Sequence, residues 1–314
     1  MKNTSSSKKH NAAFKISVIG CGNVGATIAY ALLLDGTPTE LALIDINREK
    51  AEGIALDLEH SLSFTSYIKI THSDNFQDCA GSSLIIIAAG KKQAPGETRL
   101  DLAAANRTIF RDMIPKIIKA EKDAIILIVT NPVDVLTYET LKISKLPSSR
   151  VFGTGTILDT ARLQFHISEK IGIHPKSIDA YVLGEHGDTS FPVYSSANIV
   201  GKPLGNFKKF TQKIAEECYK ETKNAAYRII HDVGFTCYSI ATAVRQIAKA
   251  IFEDTHEVFM LSTFLENYYG HSNVCLSIPS VLGRQGIIET LEIPLNKKEQ
   301  KQLKTSVQAI KTLL

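Results

Sequence analysis

Residues 20–25 read Gly-Cys-Gly-Asn-Val-Gly, directly after the β-branched run 15–19 and directly before an apolar stretch, 24–34. A strand that turns through three glycines into a helix constrains the fold more than any other segment of the chain. Gly20, Gly22 and Gly25 let the backbone and a ligand approach closely. The N-terminus of such a helix favours bound negative charge, as on a phosphate.

From residue 14 onward, short β-branched runs alternate with amphipathic stretches, the signature of a parallel sheet wrapped by helices. Strands are expected at 15–19, 41–45, 67–71, 84–88, 124–129 and 151–153, and helices at 23–34, 48–60, 101–120 and 133–144. After residue 153 the rhythm changes. Helices are expected at 159–171, about 207–232, 238–253 and 297–313, with strands at 178–183, 197–200, 256–265, 273–282 and 286–290. The fold class is therefore α/β: a Rossmann-type, doubly wound parallel sheet at 14–153, followed by an α+β domain at 154–314, with 1–13 a disordered polar tail.

Length allows this division, since 314 residues can bury one large core or two ordinary ones. With 44% hydrophobic and 22% charged residues the chain reads as a water-soluble globular protein. Its formal net charge is only +4, and the basic residues cluster mainly at the two ends, Lys8-Lys9 and Lys297-Lys298, with Lys208-Lys209 on an expected loop, which argues against nucleic acid as a partner. No apolar run reaches membrane-spanning length, and the tail lacks the apolar centre of a signal peptide. The five cysteines are dispersed without metal-ligand spacing, so reduced thiols, a cytoplasmic location and no metal are expected.

Asp45 ends the second expected strand 20 residues after Gly25, where a carboxylate can bind an adenosine ribose and repel a 2′-phosphate. NAD, rather than NADP, is the cofactor this implies; the competing role for Asp45 is to cap the helix that starts near Asn47. Gly20, Gly22, Asn23, Val24 and Gly25 would cradle the pyrophosphate. Ala89-Gly90 and Asn131, in VTNPVD at 129–134, fall at strand C-termini, the ligand edge of such a sheet, although Asn131-Pro132 also fits an ordinary turn. The polar loop 90–99 is either solvated surface or a cover that carries Arg99 into the site and excludes water.

The stretch YVLGEHGDTS at 181–190 sets His186 among glycines and carboxylates at the end of an expected strand, where an imidazole can move a proton near neutral pH. Upstream, Asp159 and Arg162 share one helical face, which permits either joint service in a site or a simple salt bridge.

Taken in order, GCGNVG (20–25), Asp45, QAPGETR (93–99), TNPVD (130–134), GTGTILDTAR (153–162) and GEHGD (184–188) resemble the L-lactate/malate dehydrogenase family across most of the chain. The resemblance implies that His186 is the acid/base, Asp159 orients it, Arg162 grips the substrate carboxylate and Arg99 polarises the carbonyl. It also places Asn131, Gln93 and Thr236 around the substrate and Ile240 against the nicotinamide. The malate branch carries arginine at the position of Gln93; an uncharged amide leaves a second carboxylate unpaired, which favours pyruvate and L-lactate. Phe235 and Cys237 affect pocket size, leaving larger 2-oxo acids, as in the related hydroxyisocaproate dehydrogenases, as the second reading and malate as the third. A nucleotide-binding protein without catalysis is the remote alternative, which would predict damage among His186, Asp159, Arg162 and Arg99.

Many bacterial members bind fructose 1,6-bisphosphate between subunits through an arginine and a histidine. The aligned positions here are Gln164 and Asp179, neither of them a cation, so independence from this activator is expected. The family's usual assembly, a homotetramer, is likewise implied by the resemblance, and the apolar faces at 23–34 and 51–58 are compatible with it.

Overall fold

The computed structural model describes residues 13–91 and 99–314, with Arg99 described by its backbone alone. The expected tail, apart from Ala13, and Gln93 lie outside the described residues. The first half runs β1 (Lys15–Ile19), α1 (Asn23–Asp35), β2 (Glu40–Ile44), α2 (Arg48–His60), β3 (Lys69–Ser73), β4 (Ser82–Ile87), α3 (Arg99–Ala120), β5 (Ile125–Ile128), α4 (Val133–Ser144) and β6 (Val151–Gly153). These six strands are parallel, in the spatial order β3-β2-β1-β4-β5-β6. The order reverses between β1 and β4, and a crevice opens there at the strand C-termini.

Helices on both faces explain why the strands read as continuous apolar runs rather than alternating ones. Leu84, Ile86, Ile125 and Leu127 point into the core shared with α1 and α2. Their neighbours Ile85, Ile87, Ile126 and Ile128 point into the core shared with α3 and α4. Each such fully buried aliphatic side chain contributes about 1.5–3 kcal/mol by leaving water.

The second half comprises α5 (Ile157–Ile171), β7 (Asp179–Leu183), β8 (Phe191–Ile199), β9 (Lys202–Pro203), α6 (Gln212–Val233), α7 (Tyr238–Glu253), β10 (Glu257–Phe264), β11 (Cys275–Gly283), β12 (Gly286–Thr290) and α8 (Lys297–Leu313). The later strands divide between two sheets. Only β7, β8 and β9 form a sheet of their own, whereas β10 pairs antiparallel with β6 and extends the first sheet to nine strands. α7 also crosses back, and its Val244, Ile247 and Ile251 share a core with Ile28 and Leu32 of α1.

Several strand boundaries move, two of them for a visible reason. β3 begins at Lys69, not 67, because its partner β2 begins at Glu40, opposite Lys69, and Tyr67 is left exposed. β8 begins at Phe191, six residues before the expected start, despite Pro192. Proline is tolerated there because β9 reaches only Asn198 and Ile199, leaving Pro192 on an edge. Among the described residues no helix is long and apolar enough to cross a membrane.

Candidate active site

At the start of α1 the three glycines do different work. Gly20 has φ +93°, and a Cβ there would lie 2.5 Å from the backbone nitrogen of Ala89; one on Gly25 would lie 1.8 Å from the Gly20 carbonyl oxygen. Both are packing glycines. Gly22 instead, its chain neighbours aside, has no heavy atom among the described residues within 4 Å of where its Cβ would stand. No side chain caps α1, and its first turn carries no acidic residue. The leading amides of a helix, here at Asn23, Val24 and Gly25, lack intrahelical partners. An open cradle beside uncapped amides fits the pyrophosphate of a dinucleotide.

Asp45 lies just past β2, where its Oδ2 accepts the Cys21 N–H at 2.6 Å and its Oδ1 the Asn47 N–H at 2.9 Å. The cap of α2 is Asn47, which accepts the Lys50 N–H at 3.0 Å. Asp45 thus braces the glycine turn while remaining partly exposed, with lone pairs left for ribose hydroxyls. Burial, with the nearby charge of Asp45, pushes the Cys21 thiol up to about 12, so it stays protonated.

The ends of β4 and β5 are held together by two polar residues. Thr130 donates its hydroxyl to the Ala89 carbonyl at 2.8 Å, and a Cβ on Gly90 would lie 2.4 Å from the Thr130 methyl. Asn106, fully buried on α3, accepts the Lys91 N–H at 2.7 Å and donates to the Asn131 carbonyl at 2.8 Å. Asn131 itself is exposed at this edge, joined to Pro132 by a cis peptide. Asn106 was not read from the sequence, although an amide on the stripe Leu102, Ala103, Phe110, Met113 is the signal that marks it.

His186 follows β7 in a corner built by long-range bonds. Gly184, at φ +91°, exchanges backbone hydrogen bonds with Ser277 of β11 at 3.1 and 2.9 Å. Its absent side chain matters, because a Cβ would stand 2.4 Å from the Ser306 hydroxyl of α8. Thr156, at the start of α5, donates to the Val182 carbonyl at 2.5 Å, and Thr160 accepts the Val182 N–H at 3.0 Å. The first two turns of α5 are thereby fastened beside the corner.

That fastening brings Asp159 and Arg162 to the imidazole. His186 Nδ1 lies 2.6 Å from Asp159 Oδ2, and Arg162 Nη1 donates to Asp159 Oδ1 at 3.2 Å. Burial works against both charges. Asp159 nonetheless sits below the usual carboxylate range because the His186 and Arg162 charges outweigh desolvation. For His186, the Asp159 carboxylate outweighs burial and raises the imidazole above its ordinary value. With Nδ1 engaged, Nε2 is the nitrogen left to exchange a proton, and the ring remains partly exposed.

Ile240, near the start of α7, packs half-buried against the same core as Val24, Ala88, Val129 and Ile157, which follow β1, β4, β5 and β6 in the chain. Thr236 lies half-buried in the short step between α6 and α7, and α5 packs against both helices. Gln93 and the Arg99 side chain lie outside the described residues, so the geometry of the loop contribution is not part of this assembly. Asp134 and Ser262 were also missed by sequence reasoning: Asp134 accepts the His186 N–H at 2.7 Å and the Ser262 hydroxyl at 2.5 Å.

Comparison with known proteins agrees with the geometry. Residues 14–153 match the family described as lactate/malate dehydrogenase, NAD binding domain, and residues 156–314 match lactate/malate dehydrogenase, alpha/beta C-terminal domain. The chain is 46% identical over 305 residues to an L-lactate dehydrogenase of Thermoanaerobacter sp. (strain X514), covering 96% of this chain and 98% of the relative. It is 44% identical over 312 residues to one of Clostridium botulinum, covering 98% of each. Among solved structures, a lactate dehydrogenase from a Medee basin deep-sea metagenome library superposes with a TM-score of 0.93 at 37% identity, covering 96% of this chain and 98% of that one. The minor L-lactate dehydrogenase of Enterococcus mundtii gives 0.92 at 35% identity, covering 96% and 97%. The chain belongs to the lactate/malate dehydrogenase family.

Proposed function

We propose that the chain is an NAD-dependent L-lactate dehydrogenase interconverting pyruvate and (S)-lactate. The observation that carries this is the His186–Asp159–Arg162 constellation: a partly exposed imidazole held at Nδ1 by one carboxylate, beside a guanidinium. When bound, the nicotinamide supplies or accepts the hydride at the substrate's C2. In the reducing direction His186 Nε2 gives its proton to the carbonyl oxygen, and in the oxidising direction it takes one from the hydroxyl. Asp159 holds the ring's orientation and stabilises imidazolium. Arg162 binds the substrate carboxylate through its planar fork. Arg99 is assigned the stabilisation of negative charge on the carbonyl oxygen.

Gly20, Gly22, Asn23, Val24 and Gly25 hold the pyrophosphate and Asp45 the adenosine ribose. Ala89, Gly90, Asn131 and Ile240 line the nicotinamide end, with Asn131, Thr236 and Gln93 at the substrate. Residues 14–153 form the dinucleotide-binding half and 154–314 the substrate half. A homotetramer in the cytoplasm, serving fermentative pyruvate reduction at the end of glycolysis, is the setting this implies.

Activation by fructose 1,6-bisphosphate is not required. Gln164 spends its amide on the Ala180 carbonyl at 3.3 Å, and Asp179 adds negative charge at the other aligned position. Adding the bisphosphate should leave the pyruvate KM unchanged, and a large fall would contradict this.

Substrate identity is tested by NADH oxidation with pyruvate, oxaloacetate and 2-oxoisocaproate in parallel. Pyruvate should have the highest kcat/KM. Preference for oxaloacetate would overturn the role of Gln93, and preference for the branched acid would overturn the pocket assigned to Thr236.

A further inference from the structure

α3 serves the site at two places. It opens at Arg99, assigned to the substrate carbonyl, and about two turns on its Asn106 holds the Lys91 N–H and the Asn131 carbonyl. The next residue, Arg107, reaches α4 and α8 instead. Its Nε donates to Glu139 Oε2 at 3.2 Å, its Nη2 lies 3.1 Å from the same oxygen, and its Nη1 donates to the Leu313 carbonyl at 3.2 Å. Arg111, one turn further along α3, donates from Nε to Glu139 Oε1 at 2.6 Å.

Glu139 is buried in α4. Two arginines one turn apart on a helix repel each other, and a carboxylate set between them, one oxygen to each, turns that repulsion into attraction. An apolar contact would pack α3 on α4 as tightly. What the ion pairs add is direction, since a guanidinium fork meets a carboxylate in few orientations. They therefore fix the rotation and the axial position of α3. The elements to which they fasten it also hold the histidine corner: α4 through Asp134, which accepts the His186 N–H, and α8 through Ser306, which donates to the Thr189 carbonyl at 2.5 Å. From Arg107 back to the start of α3 is about 12 Å of helix. Over that length a tilt of about 5° moves the helix start by about 1 Å, a displacement that slows a reaction in which two groups must meet one oxygen atom.

Resting on the roles proposed for Arg99 and His186, we propose that Glu139 and Arg107 are positioning residues that set the start of α3, and with it Arg99, against the His186 corner. They act through α3, not on the substrate. The dinucleotide cradle at α1 lies outside this joint, so their effect falls on the chemical step.

The test is single-turnover pyruvate reduction and NADH binding in Glu139→Gln and Arg107→Lys, each in the wild-type and the Arg99→Gln backgrounds. Glutamine keeps the shape of Glu139 and loses its charge; lysine keeps the charge of Arg107 and loses the fork. Each should slow reduction by about tenfold, with NADH affinity within about twofold of wild type. In the Arg99→Gln background no guanidinium is left to misplace, and the same substitutions should add less than about twofold, the non-additivity of groups that act through one another. Should Glu139→Gln not fold, Arg107→Lys decides. Unchanged reduction, an equal loss in both backgrounds, or a loss of NADH affinity as large as the loss of rate overturns the proposal and leaves the roles of Arg99 and His186 standing. Reduction at the wild-type rate in Arg99→Gln alone overturns the role of Arg99 and the proposal with it.

Discussion

At the scale of single residues, the charge balance around His186 sets the pH behaviour. The imidazole is raised because the Asp159 carboxylate outweighs burial, so the protonated form, the proposed proton donor to pyruvate, persists above its ordinary value of 6.5. Replacing Asp159 by asparagine removes that support. We expect the inflection to fall and kcat/KM for pyruvate to drop by about 10²–10⁴-fold, measured by steady-state NADH oxidation. Asp134 is raised as well, so its linkage to stability has the same sign as that of His186. Its carboxyl is raised from 3.8 to about 7, so the folded chain retains a proton that the unfolded chain releases across this window. Stability from this group is complete below the unfolded value and falls as pH rises towards 7, by at most about 4 kcal/mol. Thermal unfolding at pH 5 and pH 8 should therefore show Asp134→Asn improving relative to wild type at the higher pH. A constant difference would contradict this assignment.

At the scale of elements, the strand-turn-helix at 15–35 makes contrasting predictions for two glycines. Gly25→Ala drives a methyl group against the Gly20 carbonyl at 1.8 Å and should cost about 3 kcal/mol or more, read as a lowered denaturant midpoint. Gly22→Ala, its chain neighbours aside, meets no atom of the described residues within 4 Å and has an ordinary backbone conformation, with φ −72°. It should fold normally but weaken NADH binding about tenfold, roughly 1.4 kcal/mol, as read by fluorescence titration. Much of this element was legible because strand, glycines and helix are contiguous in the chain. His186, Asp159 and Arg162 were legible from the motifs that carry the family resemblance. The partners of Asn106, Asp134 and Ser262 were not, because those bonds span 25, 52 and 128 residues, although the helical stripe does flag Asn106 as a buried amide. The start of β8 was hidden for a related reason: Pro192 reads as a strand breaker until the short reach of β9 is known.

At the scale of the molecule, the functional halves are not independent bodies. β10 joins the sheet of the first half through β6, and α7 completes the core on α1. Arg245 of α7 adds an ion pair to Asp35 of α1 at 2.9 Å. Alternation of strands and helices in the sequence marks where the first motif stops, but it carries no information about which sheet the later strands join. We expect a fragment of residues 14–153 to be aggregation-prone, since removing α7 exposes Ile28 and Leu32. The intact chain should unfold in one calorimetric transition, and two separate transitions would contradict the shared core.

The central claim is that His186 moves the proton while the dinucleotide site acts separately. Its most direct test measures NADH binding and single-turnover pyruvate reduction in His186→Asn. The account predicts NADH affinity within about twofold of wild type, a difference of roughly 0.4 kcal/mol, with the chemical step slowed by about 10²-fold or more. A near-normal rate of reduction in that variant would contradict it.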